Sequence, residues 1–464
     1  NQYPSPKLAW ITLIVLSLTY MFSFMDRQIL VLLIDPIKAD LQISDTQVSL
    51  LTGLAFAIVY TFAGIPMGRA ADLWVRKYVI IFGVTVWSLL TILSGCARNF
   101  SQLFMARMGV GFGEAALTPT AYAMVPDLFP PNKIARALSV FALGGMIGMG
   151  MSLLFGGVII GLVENIESIT LPLIGEVRSW QVVLFIAGGL SLLMIIPLSL
   201  LPEPKRQIAA TPTAANKDNL SFNAVLHYLW QHKKFYGFFL AGMTIYNLFG
   251  YGNATWIPSY FIRVHGWEAS NAGITLGALY IVPAIIGGLS SGWLADYFYS
   301  KGYKTAPLFI MFIALLFLAP LILLFIYMPL MEAKIVALVL FFLIETMMVV
   351  LFPAVLQMST PNRIRGQVSA ISLMISNLVG IGFGATTIAL VTDYVFQDEL
   401  AVGHSIAVVG VIACAISMCL LFLALKPFKQ RVSIVMDDDS ESPEQKTEQT
   451  KENDRVELQL NKAM

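Results

Sequence analysis

The sequence predicts an all-α integral membrane protein in which about twelve transmembrane helices form two pseudo-symmetric halves of six. Of its 464 residues, 57% are hydrophobic and only 12% are charged, which is too little charge to cover a soluble surface. About twelve apolar runs, each close to the roughly 20 residues that cross a bilayer, follow one another as far as residue 427. Short strings also recur between the two parts of the chain. Together these observations indicate a bundle built by duplication.

The apolar runs are expected to be helices, because the strands of a membrane barrel would alternate in character over about ten residues. Their limits are approximate. We place the spans near residues 8–33, 47–68, 78–97, 100–125, 134–162, 180–201, 235–262, 271–297, 305–328, 333–357, 365–393 and 403–427.

Polar segments divide the chain into regions. Residues 202–234 contain Pro202, Pro204 and an Ala/Thr/Pro-rich stretch, which is typical of a linker. Residues from about 432 onward are charged and have too little apolar content to fold alone. We therefore expect an N-terminal six-helix half at 1–201, a cytoplasmic linker at 202–234, a C-terminal six-helix half at 235–431 and a disordered cytoplasmic tail at 432–464.

Two strings of the first half have counterparts at nearly the same offset in the second, which supports this division. The pairs are Pro131-Asn132-Lys133-Ile134 with Pro361-Asn362-Arg363-Ile364, and Gly68 and Asp72 with Gly292 and Asp296.

The basic residues predict the orientation, because short cytoplasmic loops of membrane proteins are enriched in lysine and arginine. The connections that follow even-numbered spans carry Arg69, Arg76, Lys77, Lys133, Arg136, Lys205, Arg206, Lys217, Lys233, Lys234, Lys301, Lys304, Arg363 and Arg365. The basic residues on the other side are Lys38, Arg98, Arg178, Arg263 and Lys334. That side also collects the acidic residues Asp35, Glu164, Glu167, Glu176, Asp393, Asp398 and Glu399. We therefore expect a multi-pass protein of the cell membrane, the inner membrane if bacterial, with both termini cytoplasmic.

Several classes of function are disfavoured by the composition. The net charge of +1 gives no indication of a nucleic-acid partner. No disulfide framework, metal site or cofactor is expected, because the cysteines lie within apolar runs and the last two point to different helix faces. An enzyme is disfavoured because the histidines lie at loops or helix ends rather than in a cluster. These residues are Cys96, Cys414, Cys419, His227, His232, His265 and His404.

Four ionisable residues lie within apolar runs of the first half: Asp26, Arg27, Arg107 and Glu114. Charge inside a bilayer is costly, so such residues are candidates for a substrate or proton site. Asp26 and Arg107 each lie about seven residues from the same side of the membrane, roughly 10 Å deep. Neighbouring helical residues point about 100° apart, so we expect Asp26, rather than Arg27, to face Arg107 across a cavity. A static network that only joins the first and fourth helices is the alternative.

The connection Gly68-Arg-Ala-Ala-Asp72-Leu-Trp-Val-Arg76-Lys77 resembles the loop signature of the major facilitator superfamily. It departs from that signature at Leu73 and Val75. The resemblance implies the major facilitator fold and a gating role on the cytoplasmic side for Gly68, Asp72, Arg76 and Lys77. A loop that merely sets the orientation is the alternative.

Two further strings resemble the Spinster family within this superfamily. They are Phe24-Met-Asp26-Arg27 in the first span and Arg107-Met-Gly-Val-Gly-Phe-Gly-Glu114-Ala in the fourth. The resemblance implies that Asp26, Arg27, Arg107 and Glu114 serve substrate binding or proton coupling, and that the substrate is a lysophospholipid or a sphingolipid-like molecule.

Other residues are secondary candidates. Gly109, Gly111 and Gly113 lie in an apolar helix with no preceding strand, so close helix packing explains them better than a nucleotide loop. Glu345 is the deep carboxylate of the second half and a possible second proton site, and Tyr246 is a candidate for the cavity wall.

A polar clamp in one half and an apolar other half suit an amphipathic substrate. We expect a secondary transporter that works by alternating access, is linked to protons, and has an amphipathic lipid or small organic substrate, protons and the bilayer as partners. A carrier of small organic anions, in which Arg27 and Arg107 bind a carboxylate, is one alternative. A non-transporting membrane receptor or scaffold is the alternative from another class.

Overall fold

The apolar runs fold as helices in a computed structural model, which describes residues 3–163, 168–172, 175–206, 222–361 and 364–440. Most of the helices lie close to the spans predicted from hydropathy. They are α1 (Pro6–Leu32), α2 (Ile34–Leu41), α3 (Asp45–Thr52), α4 (Leu54–Leu73), α5 (Arg76–Ser94), α6 (Phe100–Glu114), α7 (Leu117–Leu128), α8 (Pro131–Val163), α9 (Ser179–Leu193), α10 (Ile195–Leu200), α11 (Phe222–Gln231), α12 (Lys233–His265), α13 (Ala269–Ser300), α14 (Ala306–Tyr327), α15 (Met331–Ser359), α16 (Arg365–Leu390) and α17 (Val402–Ser440).

The described helices form twelve membrane crossings, which confirms the predicted fold class. They are α1, α3 with α4, α5, α6 with α7, α8, α9 with α10, and then α12 to α17. Within the described residues, ten helical spans are long and apolar enough to cross a membrane by composition alone. The α6–α7 pair and α12 are not among those ten. In the α6–α7 pair, the charged residues Arg107 and Glu114 lower the mean hydropathy of the crossing.

The hairpin, helix α11 and the full length of α17 were not expected from the sequence. A hairpin pairs β1 (Ser168–Leu171) with β2 (Gly175–Arg178), with Ser168 opposite Arg178. Helix α11 lies inside the expected linker, and α17 runs on to Ser440, into the segment expected to be a disordered tail. The rest of the linker and tail, at 207–221 and 441–464, lies outside the described residues, as do Glu164 and Glu167.

Two ends of the bundle matter for the site. The near face carries the start of α1, the α4–α5 turn and residues 201–206, and the far face carries α2, the β hairpin and residues 391–401.

The two halves pack closely where glycines meet. A Cβ on Gly277 of α13 would stand 2.5 Å from the carbonyl oxygen of Gly150 on α8. A Cβ on Gly53 would stand 2.6 Å from the carbonyl oxygen of Ile381 on α16. Only residues without side chains allow such backbone approach, so these glycines fix how the halves meet.

Candidate functional site

The four ionisable residues of the first half come together inside the bundle. Helix α1 supplies Asp26 and Arg27, and α6 supplies Arg107 and Glu114. Asp26 and Arg107 are 0% exposed and Glu114 is 1% exposed, whereas the Arg27 side chain keeps 11% of its surface accessible. Arg27 is thus the member of the group whose side chain keeps the most accessible surface.

Arg27 is held by an ion pair and by aromatic rings. Its Nη2 lies 2.6 Å from Glu114 Oε2, and the same oxygen accepts a hydrogen bond of 2.7 Å from the Ser23 hydroxyl. The guanidinium lies 4.2 Å from the ring centre of Phe56 and 5.0 Å from that of Phe24. Such rings attract a cation through their faces. The charge is therefore fixed in position without being fully covered.

Asp26 and Arg107 meet in a different way from the one predicted. Arg107 Nη1 donates a hydrogen bond of 3.2 Å to the main-chain oxygen of Asp26, not to its carboxylate. The Asp26 carboxylate oxygens, and Nε and Nη2 of Arg107, have no hydrogen-bond partner among the described residues. The Asp26 side chain points instead toward Ser191 and Trp87, whose polar atoms stand beside it but outside hydrogen-bond contact.

Glycines bring α6 close enough to build this group. A Cβ on Gly111 would stand 2.6 Å from the carbonyl oxygen of Phe56 on α4, and one on Gly113 would stand 2.6 Å from the main-chain nitrogen of Trp87 on α5. Helix α6 therefore packs between α4 and α5 and carries Glu114 up to α1. Close packing, as expected, accounts for these glycines.

The near-face turn between α4 and α5 is organised by basic residues and the start of the linker. Arg76 forms ion pairs with Asp127 of α7 and, at 3.0 Å, with Glu203. Glu203 also accepts a hydrogen bond of 3.0 Å from the main-chain nitrogen of Lys77, at the first turn of α5. A carboxylate is favourable there because it satisfies free N–H groups and the helix dipole.

Arg206 completes the turn from the other side. Its guanidinium donates to the main-chain oxygens of Ala71, at 3.0 Å, and Trp74, at 2.7 Å, at the end of α4. The carboxylate of Asp72 is exposed and forms no hydrogen bond or ion pair within the described part of the chain. Gly68 is open, with only the Pro119 side chain near the place of its missing Cβ. The sequence did not indicate the roles of Glu203 and Arg206.

Ion pairs between the halves close the far face. Arg263, at the end of α12, lies 2.7 Å from Asp35 and 2.6 Å from Asp45 of the first half. Lys38 pairs with the same Asp45 and, at 2.8 Å, with Glu399 of the second half. In the sequence, Asp35, Lys38, Arg263 and Glu399 are visible only as loop charges, and Asp45 has no special signal.

A second contact supports the same closure. Asp393 of the second half accepts hydrogen bonds of 2.8 Å from the main-chain nitrogen and 2.6 Å from the hydroxyl of Thr46. One turn further, the Ser49 hydroxyl lies 3.0 Å from that of Thr386. The inter-half ion pairs that we find among the described residues all belong to this face.

Glu345 is an ionisable residue of the second half that lies within an apolar helix. Glu345 on α15 is partly exposed, and its Oε1 lies 3.6 Å from the place of a Cβ on Gly250. It forms no ion pair or hydrogen bond with other described residues. Tyr246, expected at the cavity wall, is instead 2% exposed and packs in the apolar core of this half. Glu345 therefore remains the candidate site residue of the second half.

Comparison with known proteins shows the family. The model of the major facilitator superfamily matches residues 16–385. An MFS-type efflux pump of Mycolicibacterium smegmatis is 30% identical over 292 residues, which are 63% of this chain and 63% of the pump. A hexuronate transporter of Bacillus subtilis is 26% identical over 86% of this chain and 93% of its own length. Protein spinster homolog 1 of Xenopus laevis is 27% identical over 56% of this chain and 47% of its own.

A solved structure has the same fold. The crystal structure of a bacterial homologue of the human lysosomal transporter Spinster, inward-facing and unoccupied, has a TM-score of 0.75 at 22% identity. The match covers 95% of this chain and 100% of that one. The twelve-crossing fold, the loop from Gly68 to Lys77 and the family match over most of the sequence lead to one conclusion: the chain is a multi-pass membrane protein that belongs to the major facilitator superfamily.

Proposed function

We propose that the chain is a proton-linked secondary transporter of an amphipathic lipid, such as a lysophospholipid or a sphingosine-phosphate-like molecule. The observation that carries this proposal is the partly exposed guanidinium of Arg27, fixed by Glu114 inside the bundle. An anionic head group can approach that guanidinium. The acyl chain would then lie against the largely apolar second half.

Alternating access is supported by the position of the inter-half ion pairs. Arg263 with Asp35 and Asp45, and Lys38 with Glu399, hold the far face shut. A substrate that crosses the membrane requires a second state in which these pairs separate. From the distribution of lysine and arginine, we assign the near face to the cytoplasm. The described state, closed at the far face, would then be inward-facing, and the second state would be outward-facing.

Asp26 is the residue we assign to proton coupling. A buried carboxylate without hydrogen-bond partners is costly as an anion but acceptable as a neutral acid. Arg107 stands close by with two unpartnered nitrogens. A small movement of α6 against α1 would bring its guanidinium to the Asp26 carboxylate and favour release of the proton. Substrate access and protonation of Asp26 would then depend on the same movement.

A carrier of small organic anions is the second candidate. The similarity to a hexuronate transporter favours it, and Arg27 could bind a carboxylate directly. A receptor or scaffold is less well supported, because neither needs ionisable groups buried at this depth.

Counterflow separates these candidates. Proteoliposomes loaded with unlabelled lysophospholipid should accumulate external labelled lysophospholipid, and excess hexuronate should not compete. Competition by hexuronate without lysolipid exchange would support the anion carrier. If thermal melting shows that the protein is folded and it exchanges neither compound, both substrate assignments are contradicted.

A further inference from the structure

Helix α11 has two unlike faces. Its inner face packs on the second half through Val225, which is 0% exposed, and through Tyr228, whose hydroxyl accepts a hydrogen bond from Arg431 of α17. Its outer face exposes 43% of Leu226 and 69% of Trp230. These two residues are four apart, so they form one apolar stripe on the outer surface.

Basic residues adjoin this stripe. The exposed Lys233 and Lys234 follow α11 directly, and Lys233 Nζ lies 4.6 Å from the ring centre of Trp230. Lys426 and Lys429 are exposed on α17, the helix that Arg431 joins to α11. Neither residues 222–236 nor residues 421–436 contain an aspartate or a glutamate. The apolar stripe is therefore flanked by lysines, and the acidic residues of α17, Asp437, Asp438 and Asp439, lie further along that helix.

We propose that this outer face of α11 binds anionic phospholipids of the leaflet on the near face. Tryptophan favours the depth of the head groups, where its ring meets apolar chains and its N–H remains hydrated. Lysines beside it place their ammonium groups at the lipid phosphates. An amphipathic helix with this composition lies along a bilayer surface. Because α11 connects the linker to α12, the contact would anchor the second half to the membrane. The proposal is independent of the transported substrate.

Lipid-dependent thermal stability tests the charge preference. The purified full-length protein in detergent should gain more in melting temperature from added phosphatidylglycerol than from phosphatidylcholine. The variant Lys233→Gln/Lys234→Gln should lose most of that difference while melting like the parent without lipid. Lys301→Gln/Lys304→Gln is a matched control, because it removes the same charge from exposed lysines of the α13–α14 turn on the near face. It should retain the difference.

A fluorescent probe tests the position of the helix. A bimane label on Leu226→Cys, in a background without Cys96, Cys414 and Cys419, should be quenched in nanodiscs by lipids that carry a nitroxide near the head group. The proposal is overturned if the parent protein shows no preference for phosphatidylglycerol, or if the two lysine pairs behave alike. An unquenched label would overturn it as well, and would indicate that α11 faces water.

Discussion

At the scale of single residues, the Arg27–Glu114 pair combines charge neutralisation with incomplete burial. Glu114 is enclosed, and one of its oxygens accepts from both Arg27 and Ser23. Removing one member of a buried pair is normally more damaging than replacing both, because the other charge is left unpaired. Here the aromatic rings and the accessible surface of Arg27 reduce that penalty.

The variant Glu114→Gln should therefore fold but lose gradient-driven uptake. Glutamine can still accept the hydrogen bonds from Ser23 and Arg27, so the loss of stability should stay below the roughly 3–5 kcal/mol that breaking a buried ion pair usually costs. Thermal melting and uptake into proteoliposomes measure the two effects. Ser23→Ala is the matched control, since it removes a hydrogen bond to the same oxygen and leaves the charges in place; it should keep uptake.

The opposite pattern would identify a static network. If Glu114→Gln transports at the parental rate but melts much earlier, the pair only holds α1 and α6 together.

The sequence identified these residues but not all their partners. Charges in apolar runs can be recognised from composition alone, and the depth arithmetic correctly placed the four together. Partner choice depends on the rotation of α1 against α6, and the place of α6 depends in turn on its close approach to α4, where Gly111 meets Phe56. Arg107 consequently meets the main chain of Asp26 rather than its carboxylate. The spacing of these residues in the sequence does not predict how the two helices are rotated against each other.

At the scale of elements, the far-face ion pairs join α2 and α3 to the end of α12. Arg263 is 6% exposed at the side chain and Asp45 is 0% exposed, so solvent screens this pair little. Arg263→Gln should favour the state that is open at the far face. A coupling of about 1–3 kcal/mol would change the ratio of states by about 5- to 150-fold.

A cysteine at position 49 reports this change. Ser49 is 1% exposed and contacts Thr386 across the halves. In a cysteine-free background, Ser49→Cys should react faster with a thiol reagent once Arg263→Gln is added. Arg178→Gln, which breaks the Asp40–Arg178 pair within the first half, should leave the rate unchanged. Equal rates in all three proteins would show that the far-face pairs do not control opening.

The near-face turn leads to a prediction about turnover. Asp72 is exposed and unpartnered in the described state, so Asp72→Asn should leave expression and melting unchanged. Transport should fall, because we assign Asp72 to a contact formed in the other state. Arg76→Gln should differ by lowering the yield of folded protein, since Arg76 is buried and paired with Asp127 and Glu203. Normal transport by Asp72→Asn would show that the turn has no gating role and only determines the orientation of the chain in the membrane.

Hydropathy predicts the long apolar helices well, but it does not predict the short elements that depend on local tertiary contacts. The long apolar helices are visible in sequence because lipid imposes their length. The interruption of the fourth crossing after Glu114, the β hairpin and α11 depend on tertiary contacts that hydropathy does not record. The same holds for Glu203 and Arg206, which lie in a polar stretch whose composition indicates only a linker.

At the scale of the whole molecule, orientation follows from charge. We expect the near face to be cytoplasmic because it holds most of the loop lysines and arginines. In intact cells, Lys304→Cys should resist an impermeant thiol reagent added outside, and Asp398→Cys should react with it. Labelling of Lys304→Cys alone would reverse the orientation.

Sequence repeats and composition were enough to predict twelve crossings, but the way the two parts meet was not predictable. Close contacts such as Gly150 with Gly277 join residues far apart in the chain. A single sequence shows that a glycine permits close packing but does not show which helix approaches it. The state of the molecule, closed at the far face, likewise depends on long-range pairs such as Arg263 with Asp35.

The account depends most on proton-linked alternating access through Asp26. The decisive measurement is uptake of labelled lysophospholipid into proteoliposomes under an imposed pH gradient, with the parent protein compared with Asp26→Asn. Asparagine keeps the size of the side chain and cannot titrate. The account predicts that the parent responds to the gradient, whereas Asp26→Asn still exchanges substrate at equal pH and no longer responds. Full retention of the pH response by Asp26→Asn would contradict the account.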